Sequence, residues 1–135
     1  MLSSPNDPLL EQVGALLRAE DDVIVAFVFG SIAAGEPRPE SDIDVAVFGP
    51  RRFGADRRAD LIRKLGGVAG RPVDLVDLRS AGVPLLRAAL RDGRCVVSKD
   101  RRAFDYLHSR MLLEAEDFLP YRERMLRERR KAWMR

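Results

Sequence analysis

Residues Val23 to Phe48 read VIVAFVFGSIAAGEPRPESDIDVAVF, and the fold turns on how this stretch divides. VIVAFVF is β-branched, aromatic or small throughout, with no polar alternation, and it is bounded by Asp21-Asp22 and Gly30. That pattern predicts a strand covered on both faces. Pro37 and Pro39 make Glu36 to Ser41 a loop, and IDVAVF beyond it reads as a second strand. Two aspartates, Asp42 and Asp44, stand at its start. Burying an unpaired carboxylate costs on the order of several kcal/mol, so a structural strand has no use for two of them flanking Ile43.

Working outward, Pro8 to Ala19 spaces Leu9, Leu10, Val13, Leu16 and Leu17 along one helical face, with Asp7 placed to cap it and Pro8 in the first turn. Asp56 to Leu65 is a mixed-charge helix closed by Gly66-Gly67. Pro72 to Leu78, PVDLVDL, is a third strand, Pro84 to Arg91 a short helix ending at Gly93, and Arg94 to Ser98 a fourth strand. From Asp100 the spacing is helical to the end of the chain. Phe104, Leu107, Met111, Ala115 and Phe118 form one apolar stripe, which Pro120 breaks or kinks. Interleaved helices and strands predict an α/β (α+β) domain, a small mixed sheet of about four strands with flanking helices. One domain spans 1–135, its α/β core over 1–99 and a C-terminal helical segment over 100–135.

Length and composition agree with one core: 135 residues, 46% hydrophobic and 33% charged. No apolar run approaches the roughly 18 residues needed to span a bilayer, and MLSSPNDPLLEQ lacks the basic and apolar regions of a secretory leader. A cytoplasmic protein with no membrane contact is expected. Cys95 is the only cysteine, which excludes an intrachain disulfide and a thiolate metal cluster; it reads as a small apolar strand residue. The net charge of +3 is unevenly placed. Seven basic residues against two acidic ones between Arg122 and Arg135 give that segment +5, so residues 1–121 carry a net −2. The basic pI belongs to the tail, so direct nucleic-acid binding is not expected; with Trp133 and Met134 near its end, the tail reads as a solvated helix face or a partner-docking arm.

The chemistry follows from the two aspartates. Alternate strand residues face one side at about 3.3 Å per residue, so Asp42 and Asp44 project together with stems roughly 6 to 7 Å apart. Their carboxylates could converge on two Mg²⁺ ions about 3.5 to 4 Å apart, while Ile43, Val45 and Val47 face the core. Gly30 and Ser31, leading into a short helix, would offer backbone N–H groups and a hydroxyl to phosphate oxygens. If the third strand pairs beside the second, Asp74 joins the cluster. Asp77 has the opposite parity and is expected at the strand end in solvent. Three carboxylates around two divalent ions would neutralise a triphosphate and activate an attacking hydroxyl, as nucleotidyl transfer requires. The alternative is that Asp42 caps the loop and backbone N–H groups satisfy Asp44.

Gly30-Ser31, ten residues, Asp42-Ile43-Asp44, and Asp74 on a later strand together resemble the MNT-type minimal nucleotidyltransferases of the DNA polymerase β superfamily, the antitoxins of HepT/MntA toxin–antitoxin systems. The resemblance covers nearly the whole chain. It implies a polymerase β-like nucleotidyltransferase fold, ATP as substrate and Mg²⁺, two ions, as cofactor. By that resemblance Asp42 and Asp44 bind both metals, Asp74 completes the first site, and Gly30 and Ser31 hold the β and γ phosphates. The activity it implies is transfer of AMP to a tyrosine hydroxyl of a cognate HEPN-domain (HepT-like) toxin ribonuclease, which silences the toxin.

This chain departs from the pattern at Ile32 and Ala34, where many relatives carry a basic residue; Arg38 is nearby but reads as an exposed loop arginine. Two other functions stay open: a non-catalytic antitoxin acting by occlusion, and a transferase acting on a small hydroxyl compound, for which the chain has little room. Arg102 and His108 match the spacing of a HEPN ribonuclease motif, but one terminal helix cannot build that site. His108 reads as a helix-surface residue.

Overall fold

A computed structural model describes residues 7–30 and 42–114. Ser31 and the rest of the short helix expected at SIAA, Arg38 and the expected proline loop lie outside the described residues, as do Ala115, Phe118, Pro120 and the basic tail. The elements are α1 (Asp7–Arg18), β1 (Val25–Phe29), β2 (Ile43–Phe48), α2 (Ala55–Ala69), β3 (Val73–Asp77) and α3 (Val83–Arg87). Then come a π-helical turn (Ala88–Asp92), β4 (Arg94–Ser98) and α4 (101–114). The expected mixed four-stranded sheet forms, in the order β3-β2-β1-β4. β1 is antiparallel to both its neighbours, and β2 and β3 are parallel, joined by α2 as a crossover.

Both faces of the sheet are covered, which is why β1 has no exposed position. On one face Ala26, Val28, Ile43, Val45, Val47 and Leu75 pack under α1 and α2 through Val13, Leu17, Leu61 and Leu65. On the other, Val25, Phe27, Phe29, Ala46 and Phe48 pack under α3, the π turn and α4 through Leu86, Leu90 and Leu107. The predicted α4 stripe is seated here: Phe104 stacks on Phe27 with ring centroids 6.0 Å apart, and Met111 packs on the same core. Arg110 fastens α4 to the loop after β3, donating to the carbonyls of Leu78 and Ala81 while pairing with Glu114.

Four expectations are corrected. Gly66-Gly67 does not stop α2; two glycines cost about 1 kcal/mol each relative to alanine, but the buried Leu61 and Leu65 hold the helix against the sheet. The stop is Gly70, whose φ of +65° is open to glycine and whose N–H returns to the Gly66 carbonyl at 2.8 Å. The short helix before β4 changes to π geometry over its last turn. Cys95 lies in β4 as expected but is exposed, because β4 is an edge strand. His108 is half-buried rather than on the surface, its ring 4.5 Å from that of Phe104 and its Nδ1 3.2 Å from the Phe104 carbonyl.

Candidate functional site

Sheet register builds the site. β1 ends at Phe29, which lies opposite Asp44, and Asp44 lies opposite Asp74 across the parallel pair. In-register strands run about 4.8 Å apart, so Asp44 and Asp74 project side by side on the face that carries Ala46 and Phe48. Asp44 is half-buried and Asp74, on the edge strand, is exposed. Beyond Asp44 the row continues as Ala46 and Phe48, both buried, so the strand is amphipathic only at its start. Asp42 is not within β2: it precedes the strand and is exposed, and the first ladder bond is donated by the Ile43 N–H to the Pro72 carbonyl at 3.0 Å.

The electrostatics of Asp44 are those of a group among like charges. Burial pushes its carboxyl above the usual range, and the carboxylates of Asp74 and Asp42 push it further. No hydrogen bond or ion pair from a described residue reaches the side-chain carboxylate of Asp42, Asp44 or Asp74, so the backbone-satisfied alternative for Asp44 finds no donor among those residues. The three side chains are therefore electrostatic neighbours. They do not form a closed cage: among the described residues no group of three or more Asp, Glu, His or Cys side chains stands close enough to hold a metal ion. The donor set nonetheless suits a hard divalent cation, since it is all carboxylate oxygen and carries uncompensated repulsion.

Gly30 completes the described part of the site. It leaves β1 with φ +79°, and the nearest atoms to the Cβ it lacks all belong to Asp44. Ser31, its predicted phosphate-binding neighbour, is outside the described residues. Two surface clefts, of about 290 and 320 Å³, lie elsewhere, and neither is lined by Asp42, Asp44, Asp74 or Gly30.

Asp77 keeps the predicted parity, facing away from the site, but the expectation that it sits in solvent is wrong. It is 5% exposed and accepts the N–H groups of Phe53 at 2.9 Å and Arg79 at 3.0 Å, which folds the loop after β2 down onto the end of β3. Parity fixes a face, not a depth, and the Phe53 N–H that satisfies it is 24 residues away in sequence. A second charged group also escaped the sequence reading. Arg57 on α2 donates to Asp22 at 2.6 and 2.8 Å, to Glu20 at 2.9 Å and to Asp60 at 2.8 Å, and Lys64 binds Glu20 at 2.8 Å. Hydrogen bonds from Lys64 and Arg57 hold the Glu20 carboxyl below its usual range, and those from Arg57 do the same for Asp22.

Compared with known proteins, residues 11–102 match the family described as Polymerase beta, Nucleotidyltransferase. The protein adenylyltransferase MntA of Shewanella oneidensis is 37% identical over 68 residues, 50% of this chain and 49% of the relative. The chain thus spans about half the length of that curated relative. Among solved structures, a toxin–antitoxin crystal structure with AMP-PNP superposes with a TM-score of 0.76 at 23% identity, over 87% of this chain and 96% of that one. The tri-AMPylated Shewanella oneidensis HEPN toxin in complex with MNT antitoxin gives a TM-score of 0.71 at 22% identity, over 90% of this chain and 96% of that one. At such identities the superpositions establish the fold.

Proposed function

Because the chain belongs to the polymerase β nucleotidyltransferase family, we propose that it is a Mg²⁺-dependent protein adenylyltransferase that takes ATP and transfers AMP to a tyrosine hydroxyl of a cognate HEPN-domain toxin. The observation that carries this reading is the register that sets Asp44 beside Asp74, with Gly30 at the same strand mouth. Support for the acceptor comes from the similarity to MntA and to an MNT antitoxin whose structure contains an AMPylated HEPN toxin. Support for ATP comes from the likeness to a toxin–antitoxin structure containing AMP-PNP. No helix among the described residues is long and apolar enough to cross a membrane; action in the cytoplasm is part of the proposal.

In this reading Asp42 and Asp44 would hold both metal ions and Asp74 would complete the first site, while Gly30 and Ser31 take the β and γ phosphates. Two bound Mg²⁺ ions would supply charge neutralisation for the triphosphate and lower the pKa of the acceptor hydroxyl. The tyrosine oxygen bonds to the α-phosphorus as the bond to the α,β-bridging oxygen breaks, and pyrophosphate leaves. The phenolic proton passes to Asp74, the exposed carboxylate of the pair, or to water beside it.

The test is incubation of the protein with ATP labelled in its adenosine, Mg²⁺ and a cognate HEPN toxin. AMP appearing on a toxin tyrosine, with loss of ribonuclease activity, is expected. An unlabelled toxin that is still inhibited would replace this reading with neutralisation by occlusion, which the open arrangement of the three carboxylates also suits.

A further inference from the structure

Gly30 bears on Asp44 more directly than on any phosphate. A Cβ built on Gly30 would overlap Asp44 Oδ2 and stand 3.3 Å from its Cγ and 3.7 Å from its Cβ; these are the three nearest atoms. Register explains the approach: Phe29 is the cross-strand partner of Asp44, so Gly30 is the next residue out, turning over the Asp44 side chain as it leaves the sheet with φ +79°. The Asp44 backbone is fixed between β1 and β3. A side chain at position 30 would therefore displace the carboxylate rather than the strand.

We propose that Gly30 is a positioning residue for Asp44: by lacking a Cβ it leaves the Asp44 carboxylate standing beside Asp74, where the pair can share a divalent cation. The inference rests on the proposed metal site and assigns Gly30 a part in it that is independent of nucleotide. It predicts that Gly30→Ala folds, loses divalent-metal binding in the absence of ATP, and does so with Asp42, Asp44 and Asp74 intact.

The experiment measures Mn²⁺ binding by electron paramagnetic resonance without nucleotide, and metal-free thermal melts, for the parent, Gly30→Ala, Asp44→Ala and the double variant. Mn²⁺ affinity should fall roughly tenfold or more in Gly30→Ala, the size of effect seen when a residue orienting a metal ligand is lost. The Tm loss caused by Gly30→Ala should shrink in the Asp44→Ala background, where the carboxylate is gone and only the cost of positive φ remains. Gly30→Asn, which tolerates positive φ but still carries a Cβ, serves as the second variant if Gly30→Ala fails to fold. Mn²⁺ affinity within about twofold of the parent, or equal Tm losses in both backgrounds, overturns the role of Gly30. Parent Mn²⁺ binding that Asp44→Ala leaves unchanged overturns the metal-site reading itself, and this inference with it.

Discussion

Glu20 and Asp22, just before β1 enters the sheet, sit on Arg57 and Lys64, whereas Asp44 and Asp74, where β1 leaves it, stand opposite each other in register with no cation between them among the described residues. The first pair is held below the usual carboxylate range by hydrogen bonds from cations, and Asp44 is held above it by burial and by two like charges. Asp77, on the opposite face of β3 from Asp74, is buried but satisfied by two backbone N–H groups. One small domain thus contains acids that stabilise it and one, Asp44, whose charge opposes folding. The difference is whether the fold supplies a donor. Where it does, the carboxylate is architecture; where it withholds one, the carboxylate is available to something the chain does not itself contain.

Substitutions can break that comparison, and the largest effect belongs at the strained end. Asp44→Ala or Asp74→Ala should lower AMP transfer by about a thousandfold or more, roughly 4 kcal/mol in the barrier, with the far-ultraviolet circular dichroism of the parent. Activity retained in either variant would make these acids architecture after all. At the satisfied end, Asp77→Ala should cost about 1 to 3 kcal/mol in denaturant unfolding, since it orphans the buried Phe53 N–H. AMP transfer measured well below the transition should survive.

Arg57→Ala should destabilise by about 1 to 2 kcal/mol, because its three acidic partners are all partly solvent-screened. Its pH signature is also defined. Glu20 and Asp22 have depressed pKa values, so their contribution is present above the usual carboxylate range and is lost as pH falls through the depressed values. Acid melts of Arg57→Ala should therefore be less pH-dependent than those of the parent.

The smallest effect has the opposite sign. Asp44 is raised, so the metal-free protein loses stability as pH climbs from the ordinary carboxylate range through the raised value. Asp44→Asn should then stabilise the metal-free protein at neutral pH by no more than about 1 kcal/mol once solvent screening is counted. The gain should fade in acid. A metal-free Asp44→Asn that melts below the parent at neutral pH would contradict the contrast between the two ends.

Much of the fold was legible because the signals were local. IDVAVF and RCVVS have the bounds of β2 and β4, and Phe104, Leu107 and Met111 give the inward face of α4 from their spacing alone. Asp74 was legible as the neighbour of Asp44 once β3 was assumed to pair with β2, and the crossover length makes that parallel pairing natural. What escaped depends on partners distant in sequence or on packing. Arg57 reaches Glu20 and Asp22 across 37 and 35 residues, and no periodicity announces such a pairing. Gly66-Gly67 looked like a stop because propensity favours one there, and tertiary burial of Leu61 and Leu65 overrode it. The closeness of Gly30 to Asp44 depends on register to the residue, which a strand pattern does not fix without its turn.

β3 lies at the edge of the sheet, and Asp74 is its exposed acid. An edge strand offers unpaired backbone groups to any other strand, and a charge set on it is one of the ways proteins keep such strands from adding to each other. Asp74 places such a charge on this edge, whether or not a substrate is present. Replacing it removes that edge charge together with the proposed metal ligand, so an Asp74→Ala preparation has to be shown monodisperse, by size exclusion with light scattering, before its activity is interpreted.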